Sequence, residues 1–322
     1  MKLSIIIVSY NEKEYLKEAI ESCINQNFRY DYEIIIGDDG SNDGSIDVIQ
    51  GFQKKFPEII HYFVMERGNA SDVIPSLRVT NVLKSGFSMA KGEFITVLSG
   101  DDLILDHSKF EMQVEFLEHH PQYVSCYTDF KKFGKNQKDI VFENDFLFGR
   151  AVFWAGKYVH ISCFVFRKIV TSYLLDRFAD DTGLMFSILK AGKSKHIKGI
   201  CFGYRQRDAS IMHEADELEL SILELMLYQD IMNAGGYKFS SLSRFMMPLN
   251  YVYRHRTELS NDKYKKYLMN CKALPNNILG DILEYGKLSE KRKTVLRLRN
   301  IISKISRFVF RVVMKAETIL VK

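Results

Sequence analysis

Residues 92–109 read GEFITVLSGDDLILDHSK. Glu93–Leu98 is an apolar run of strand length, and it leads straight into Ser99-Gly100-Asp101-Asp102. Two adjacent carboxylates at the end of a buried strand are costly unless positive charge sits beside them. In an open α/β sheet the carboxyl ends of the strands are where ligands bind. One reading is a divalent cation held by carboxylate oxygens and shared with a phosphate. The other is a solvated Gly-Asp-Asp turn that caps the next helix. The pair alone does not choose between them.

Upstream, strands and helices alternate. Leu3–Val8 is a continuous apolar, β-branched run, as expected of a central parallel strand buried on both faces. Lys13–Gln26 has apolar residues at Tyr15, Leu16, Ala19, Ile20, Cys23 and Ile24, a helical stripe. Glu33–Gly37 is a second strand, ending in Asp38-Asp39-Gly40-Ser41, and Asp43–Phe56 is a helix. Ile59–Met65 is a strand and Leu77–Ala90 a helix stopped near Gly92. This alternation implies right-handed βαβ units and a parallel sheet. Two strands thus end in Asp-Asp, and neighbouring strand ends in such a sheet converge on one crevice. No GxGxxG follows the first strand and no GxxxxGK[ST] occurs, which disfavours a dinucleotide fold or a P-loop NTPase.

Downstream, Ser108–His119 reads as a helix and Tyr123–Thr128 as a strand. Phe130–Gly149 is polar and irregular, a loop or sheet edge. His160–Arg167 reads as a strand and Ile169–Leu174 as a short helix. Asp180-Asp181 opens a helix to about Ala191, where acidic groups complement the helix dipole. Ile197–Tyr204 is a strand, followed by the basic loop RQRDASIMH at 205–213. From Ala215 only helical patterns remain, Leu218–Met232 the clearest.

The chain has 322 residues, 46% apolar and 26% charged, the balance of an ordinary globular protein of one large domain or a little more. No run of about eighteen uncharged apolar residues marks a membrane span. MKLSIIIVSYNE lacks a small-residue cleavage site and reads as a strand rather than a signal peptide. The five cysteines are scattered, as buried thiols in a reducing cytosol would be. Residues 287–322 hold eleven Lys and Arg against two Glu, a net of +9; the whole chain is +5, so the remainder is −4. Within that tail, 289–322 reads as a long basic amphipathic helix. Leu298, Ile301, Ile305, Phe308, Val312 and Ile319 fall on one face and Lys304, Arg307, Arg311 and Lys315 on another. It suits an anionic membrane interface, or a helix packed on the body with a solvated basic side. It lacks the interleaved aromatics of a nucleic-acid binder, so no nucleic-acid partner is expected.

In order and spacing, SIIIVSYNEKEYLKEAIESCINQ (4–26), IIIGDDGSNDGS (34–45), SGFSMAKGEFITVLSGDD (85–102), ADDTGLMFSILKAGK (179–193) and YRQRDAS (204–210) resemble family 2 glycosyltransferases. LSGDDLILDHSKFEMQVEFLEHHP (98–121) is similar to the branch of that family with an LEGDD-like metal motif. The resemblance implies an α/β, GT-A nucleotide-sugar-binding fold, Rossmann-like with a mostly parallel sheet, over residues 1–212. A helical C-terminal region, 213–322, would follow. It implies inverting transfer of a sugar from a nucleotide-diphosphate donor, a UDP-sugar first, to a glycan or lipid-linked acceptor in surface polysaccharide or glycoconjugate synthesis. With the basic tail, that places the chain in the cytoplasm, peripheral on the inner face of the cell membrane. Homo-oligomerisation is left open.

Carried over by residue, the resemblance puts Asp39 on the base with Asp38 in support, and the backbone near Ser9, Tyr10 and Glu12 along the nucleotide pocket. Asp101 would reach the ribose, Asp102 would be the main ligand of Mn²⁺ or Mg²⁺, and Asp181 the general base. Arg205 or Arg207 would sit near the diphosphate, with His213 available to the metal. Ser99 replaces the acid that often begins the metal motif, so the cation shell would lean on water or His213. That departure also motivates a second reading, a glycosyltransferase-like partner protein without turnover. Aromatics stack on sugar faces, so Trp154, the single tryptophan, and nearby His160 are acceptor-side candidates.

Overall fold

The computed structural model describes residues 1–67, 75–134, 137–143, 148, 159–177, 181–207, 216–234, 248, 251–252, 254–255, 257–260 and 264. The chain divides into two compact units. One comprises Met1–Phe153 and Lys157–Asp208, the other Trp154–Gly156 and Ala209–Lys322.

The described residues of the first unit form one sheet of nine strands. These are β1 (Leu3–Ser9), β2 (Tyr32–Asp38), β3 (Ile60–Val64), β4 (Phe94–Ser99), β5 (Leu103–Ile104), β6 (Tyr123–Gly134), β7 (Gln137–Phe142), β8 (Phe164–Arg167) and β9 (Lys193–Arg205). Their order is β3-β2-β1-β4-β8-β6-β9-β5, with β7 on β6. The β1–β2, β1–β4, β2–β3 and β6–β9 ladders are parallel. The short strands β5, β7 and β8 join antiparallel. The α-helices among its described residues are α1 (Lys13–Ile24), α2 (Ser45–Lys55), α3 (Pro75–Met89), α4 (Lys109–His119) and α5 (Asp181–Ala191).

Strand β1 is central because Leu3, Ile5, Ile6 and Ile7 bury completely and both neighbours run parallel to it. Its register sets Ser9 beside Asp38 and Val8 beside Ser99. Both acidic turns therefore leave the sheet at one level. The Asp39 N–H donates to Ser9 O at 2.9 Å, and the Gly100 N–H donates to Val8 O at 2.8 Å. Gly92 lets β4 start against β1. Its N–H donates to Ser4 Oγ at 2.8 Å, and a Cβ there would lie 2.5 Å from the Ser4 backbone nitrogen.

The structure departs from the sequence reading in four places. Strand β6, read as ending at Thr128, runs on to Gly134 with β9 on one side and β7 on the other, so only β7 is the sheet edge that the polar composition suggested. Phe130 and Phe142 stack across the β6–β7 pair at 4.7 Å. His160–Arg167 is split into a 3-10 turn, Ile161–Cys163, and the strand Phe164–Arg167. Lys168–Tyr173 is also 3-10 rather than α. The two-residue β5 carries too little sequence pattern to be foreseen. Cys23, Cys126, Cys163 and Cys201 are free and buried; Cys271 lies outside the described residues.

In the second unit, α6 (Glu217–Asn233) buries Leu218, Ile222, Leu225, Met226 and Ile231. Asp216 and Glu219 cap its start reciprocally. The Glu219 N–H donates to Asp216 Oδ1 at 2.8 Å and the Asp216 N–H to Glu219 Oε2 at 3.1 Å. The basic amphipathic segment 289–322 lies outside the described residues. No helix among the described residues is long and apolar enough to cross a membrane.

One core residue runs against the pattern. Lys109, at the start of α4, is fully buried and its Nζ has no hydrogen-bond partner. Burial lowers its pKa below the ordinary lysine value. The unfolded chain then binds more protons than the folded one between the lowered value and the ordinary one, so stability rises with pH across that window. Lys109→Met is expected to raise unfolding stability by about 1–3 kcal/mol at neutral pH, since an unpaired buried polar group is replaced by an apolar one of similar length. It should also remove the alkaline rise; urea unfolding at several pH values checks both.

Candidate active site

The site forms where the ends of β1, β2 and β4 meet, the crevice expected of a doubly wound sheet. On the β2 side, Asp38 is fully buried and spends both oxygens on its own turn. The Ser41 N–H and the Ser41 hydroxyl each donate to it at 2.7 Å. Asn11, at φ 51°, bends the β1–α1 connection back over this turn. Its N–H donates to Ser41 Oγ at 2.9 Å, and its Oδ1 accepts from the Asn42 N–H at 3.0 Å. Ser9 Oγ is buried there without a hydrogen-bond partner.

Asp39 does not stand alone. Arg78, from the first turn of α3, donates Nε and Nη2 to its two carboxylate oxygens, each at 2.7 Å. Arg67 Nη2 approaches the same carboxylate at 3.5 Å, and its guanidinium lies 3.5 Å from the centre of the Tyr10 ring. Sequence reasoning missed both arginines. A signal for Arg78 existed: it sits four residues before the fully buried Val82, on the face that α3 turns inward.

On the β4 side the carboxylates of Glu12, Asp101 and Asp102 gather. Glu12 comes from the start of α1, with its N–H donating to Ser45 Oγ at 3.0 Å. Gly100 lets it approach: a Cβ at position 100 would meet Glu12 Oε2 at 2.5 Å. Arg207 bridges the group, with Nε 2.6 Å from Asp101 Oδ2 and Nη2 3.1 Å from Glu12 Oε1. Arg205 clamps the acidic loop from β9. Its backbone N–H donates to Asp102 Oδ1 at 2.8 Å, and its Nε donates to the Asp101 carbonyl at 2.8 Å. Its Nη2 reaches Glu18 at 2.6 Å, and the guanidinium packs over the Tyr15 and Phe133 rings. Both arginines assigned to a diphosphate are thus engaged with the acidic loop here.

The carboxylates on this side outnumber the guanidinium groups that face them. Burial, then the neighbouring Asp101, raises the Glu12 carboxyl well above its usual range, with Arg207 opposing. The same causes raise Asp102, which is fully buried. Asp102 Oδ2 has no hydrogen-bond partner. It faces His160 Nε2 at 4.0 Å. His160 is buried, and its Nδ1 accepts from the Ser162 N–H at 3.3 Å. Burial lowers its pKa, while the charges of Asp181 and Asp101 oppose that.

Asp181 opens α5 and its carboxylate acts electrostatically on Asp102, His160 and Tyr204. Segments around residues 10, 40, 102, 160, 181 and 206 are therefore brought to one region of the first unit. Trp154 and His213 lie outside the described residues. Among the described residues no three His, Cys, Asp or Glu side chains are grouped to hold a metal. The orphaned, buried Asp102 Oδ2 nonetheless fits a single ligand position for a hard cation.

The sequence model described as Glycosyl transferase family 2 matches residues 4–175. A poly(ribitol-phosphate) beta-glucosyltransferase of Bacillus spizizenii is 35% identical over 105 residues, 32% of this chain and 15% of that protein. A GalNAc(5)-diNAcBac-PP-undecaprenol beta-1,3-glucosyltransferase of Campylobacter jejuni is 38% identical over 104 residues, 32% of this chain and 31% of that one. The matches span about a third or less of these relatives' own length. Among solved structures, S. aureus TarS 1–349 in complex with UDP-GlcNAc superposes with a TM-score of 0.59 at 14% identity. That match covers 97% of this chain and 92% of that one. The mannosyltransferase PcManGT from Pyrobaculum calidifontis, in complex with GDP-Man and Mn2+, gives 0.52 at 13% identity over 95% and 87%. These structures share the GT-A fold with the first unit.

Proposed function

Because the chain belongs to glycosyl transferase family 2, we propose that it transfers a sugar, with inversion, from a nucleotide-diphosphate donor, a UDP-sugar first, to a glycan or lipid-linked acceptor of the cell surface. The observation that carries this is the convergence of Asp39, Asp102 and Asp181, from three distant segments, on the carboxyl ends of the central strands. The named relatives are glucosyltransferases of poly(ribitol-phosphate) and of an undecaprenol-linked glycan, and TarS and PcManGT are seen with nucleotide sugars, which supports the class of substrate.

The residues divide the work. Arg78 holds both Asp39 oxygens from one side, leaving their remaining lone pairs to N–H groups of a base. The Arg67–Tyr10 stack supplies a flat wall beside it. Asp101 lies where a ribose would follow. Arg205 fixes Asp102 by one oxygen and leaves the other free. A divalent cation, Mn²⁺ or Mg²⁺, when held by Asp102, would supply positive charge where the diphosphate leaves. Arg207 adds a guanidinium beside the same position. Asp181 takes the proton from the attacking hydroxyl of the acceptor on the opposite side of the donor sugar, which direct displacement with inversion requires. Residues 1–212 would carry this chemistry and 213–322 a helical region whose basic end docks on anionic lipid at the cytoplasmic face.

Ser99 in the metal motif keeps the second reading alive, a partner protein without turnover. Turnover of the unmodified chain with any nucleotide sugar and Mn²⁺ rejects it. Within the enzyme reading, Asp181→Asn is expected to lower transfer by roughly 10²–10⁴-fold while donor binding stays intact; an Asn variant as fast as the parent would remove Asp181 from the chemistry. Deleting residues 289–322 is expected to reduce sedimentation with phosphatidylglycerol vesicles far more than donor hydrolysis. Equal loss of both contradicts the membrane role.

A further inference from the structure

We propose that a cavity at the other end of the sheet from the acidic crevice binds one unit of an uncharged saccharide, with Glu33 as its buried hydrogen-bond acceptor. The site is separate from the donor crevice and does not depend on that reading.

The cavity has a volume of about 490 Å³, within the range of small-ligand pockets. It lies at the start of β2 and β3, beside the end of α3, and β3 is the edge of the sheet. Glu33 is the second residue of β2 and Asp38 the last. Five residues of strand put about 16 Å between them. Ile35 and Ile60, both completely buried, supply apolar lining, and Tyr62 an aromatic ring.

Glu33 is 1% exposed and held firmly by one of its oxygens. Oε1 accepts from the Ser4 hydroxyl at 2.7 Å and from the Lys91 N–H at 2.6 Å. Ser4 Oγ in turn accepts from the Gly92 N–H at 2.8 Å. That oxygen fastens the α3–β4 connection to the sheet. The other does no such service: Oε2 is buried and has no hydrogen-bond partner. A buried carboxylate oxygen without a donor costs free energy that a ligand donor can recover. Nearest to it stands His61, whose Nε2 is 4.0 Å away, beyond hydrogen-bond reach. The imidazole is 36% exposed, and no hydrogen bond among the described residues holds it. It can therefore turn and admit a ligand hydroxyl to Oε2.

The lining selects the class of ligand. Oε2 requires a donor. Gln53, His61 and Tyr62 can each donate and accept. An anion is opposed by the Glu33 carboxylate, and a cation by the Lys91 ammonium. An uncharged ring that carries hydroxyls on its rim and C–H groups on its faces meets all of these demands. For a chain that extends a glycan, such a contact would hold a remote unit of the polymer and raise its effective concentration at the transfer site.

Ligand-observed NMR on the full chain tests this with glucose, N-acetylglucosamine, cellotetraose and chitotetraose. Choline, inorganic phosphate and alanine serve as charged probes, and each titration is repeated with saturating UDP. At least one saccharide is expected to bind, in preference to every charged probe, and UDP should not displace it. Glu33→Gln keeps an oxygen for Ser4 and Lys91 but places an amide N–H₂ where Oε2 stood. It is expected to weaken that saccharide by about tenfold. Gln53→Ala, on the surface of α2, should weaken it by about threefold and carries the test if the Glu33 variant does not fold. No saccharide bound, displacement by UDP, a charged probe bound more tightly, or parent affinity in the folded variants overturns the proposal. Failure of UDP itself to bind counts against the donor-site reading and not against this one.

Discussion

The register of β1 against β2 and β4 is the constraint on which everything else in the first unit depends. Because both neighbours run parallel to β1, their two Asp-Asp turns must emerge on the same side of the sheet and at the same height. The backbone bonds from Asp39 to Ser9 and from Gly100 to Val8 hold them there. A slip of one residue in either ladder would turn each of these carboxylates to the other face. Buried isoleucines on both sides of β1 make such a slip expensive. The hydrophobic core thus sets the position of the polar site.

Bringing so many carboxylates together creates a second constraint. Each must be neutralised, hydrogen-bonded or left at a cost. The two acidic turns answer it differently. Asp38 is satisfied by its own turn and Asp39 by a bidentate arginine, so the β2 side is electrostatically settled. On the β4 side Arg207 serves both Glu12 and Asp101, and Arg205 gives Asp102 only a backbone N–H. Glu12 and Asp102 keep raised carboxyl pKa values and each retains a buried oxygen with no hydrogen bond. Strain of this kind is what a binding site holds in reserve for its ligand. The settled side suits recognition of a base, and the unsettled side suits the diphosphate end, where charge changes during transfer.

Much of this was legible in the sequence, and for identifiable reasons. The β-branched run at Leu3–Val8 and the helical stripe from Lys13 carry strong periodicities, and two strands ending in Asp-Asp announce a shared crevice. The legible part stopped where pattern gave way to tertiary pairing. Arg78 looks like a surface residue of a helix until its partner across the fold is known. The register of Arg205 on Asp102 depends on the antiparallel pairing of the two-residue β5 with β9, which no local signal encodes. Lys109 is the plainest case: an isolated lysine in an amphipathic helix start gives no hint of complete burial. Around residues 130–142 the polar composition concealed a hairpin held by a stacked pair of phenylalanines at its two ends.

The central claim is that the free oxygen of Asp102 couples a cation to the nucleotide. The most direct measurement is the dissociation constant of the bare nucleotide, with and without Mn²⁺, for the parent chain and for Asp102→Asn. Removal of the carboxylate charge leaves the Arg205 N–H an acceptor oxygen, so the loop retains its anchor. Mn²⁺ is expected to tighten nucleotide binding by the parent and to have no effect on the variant. Equal tightening of both would contradict it.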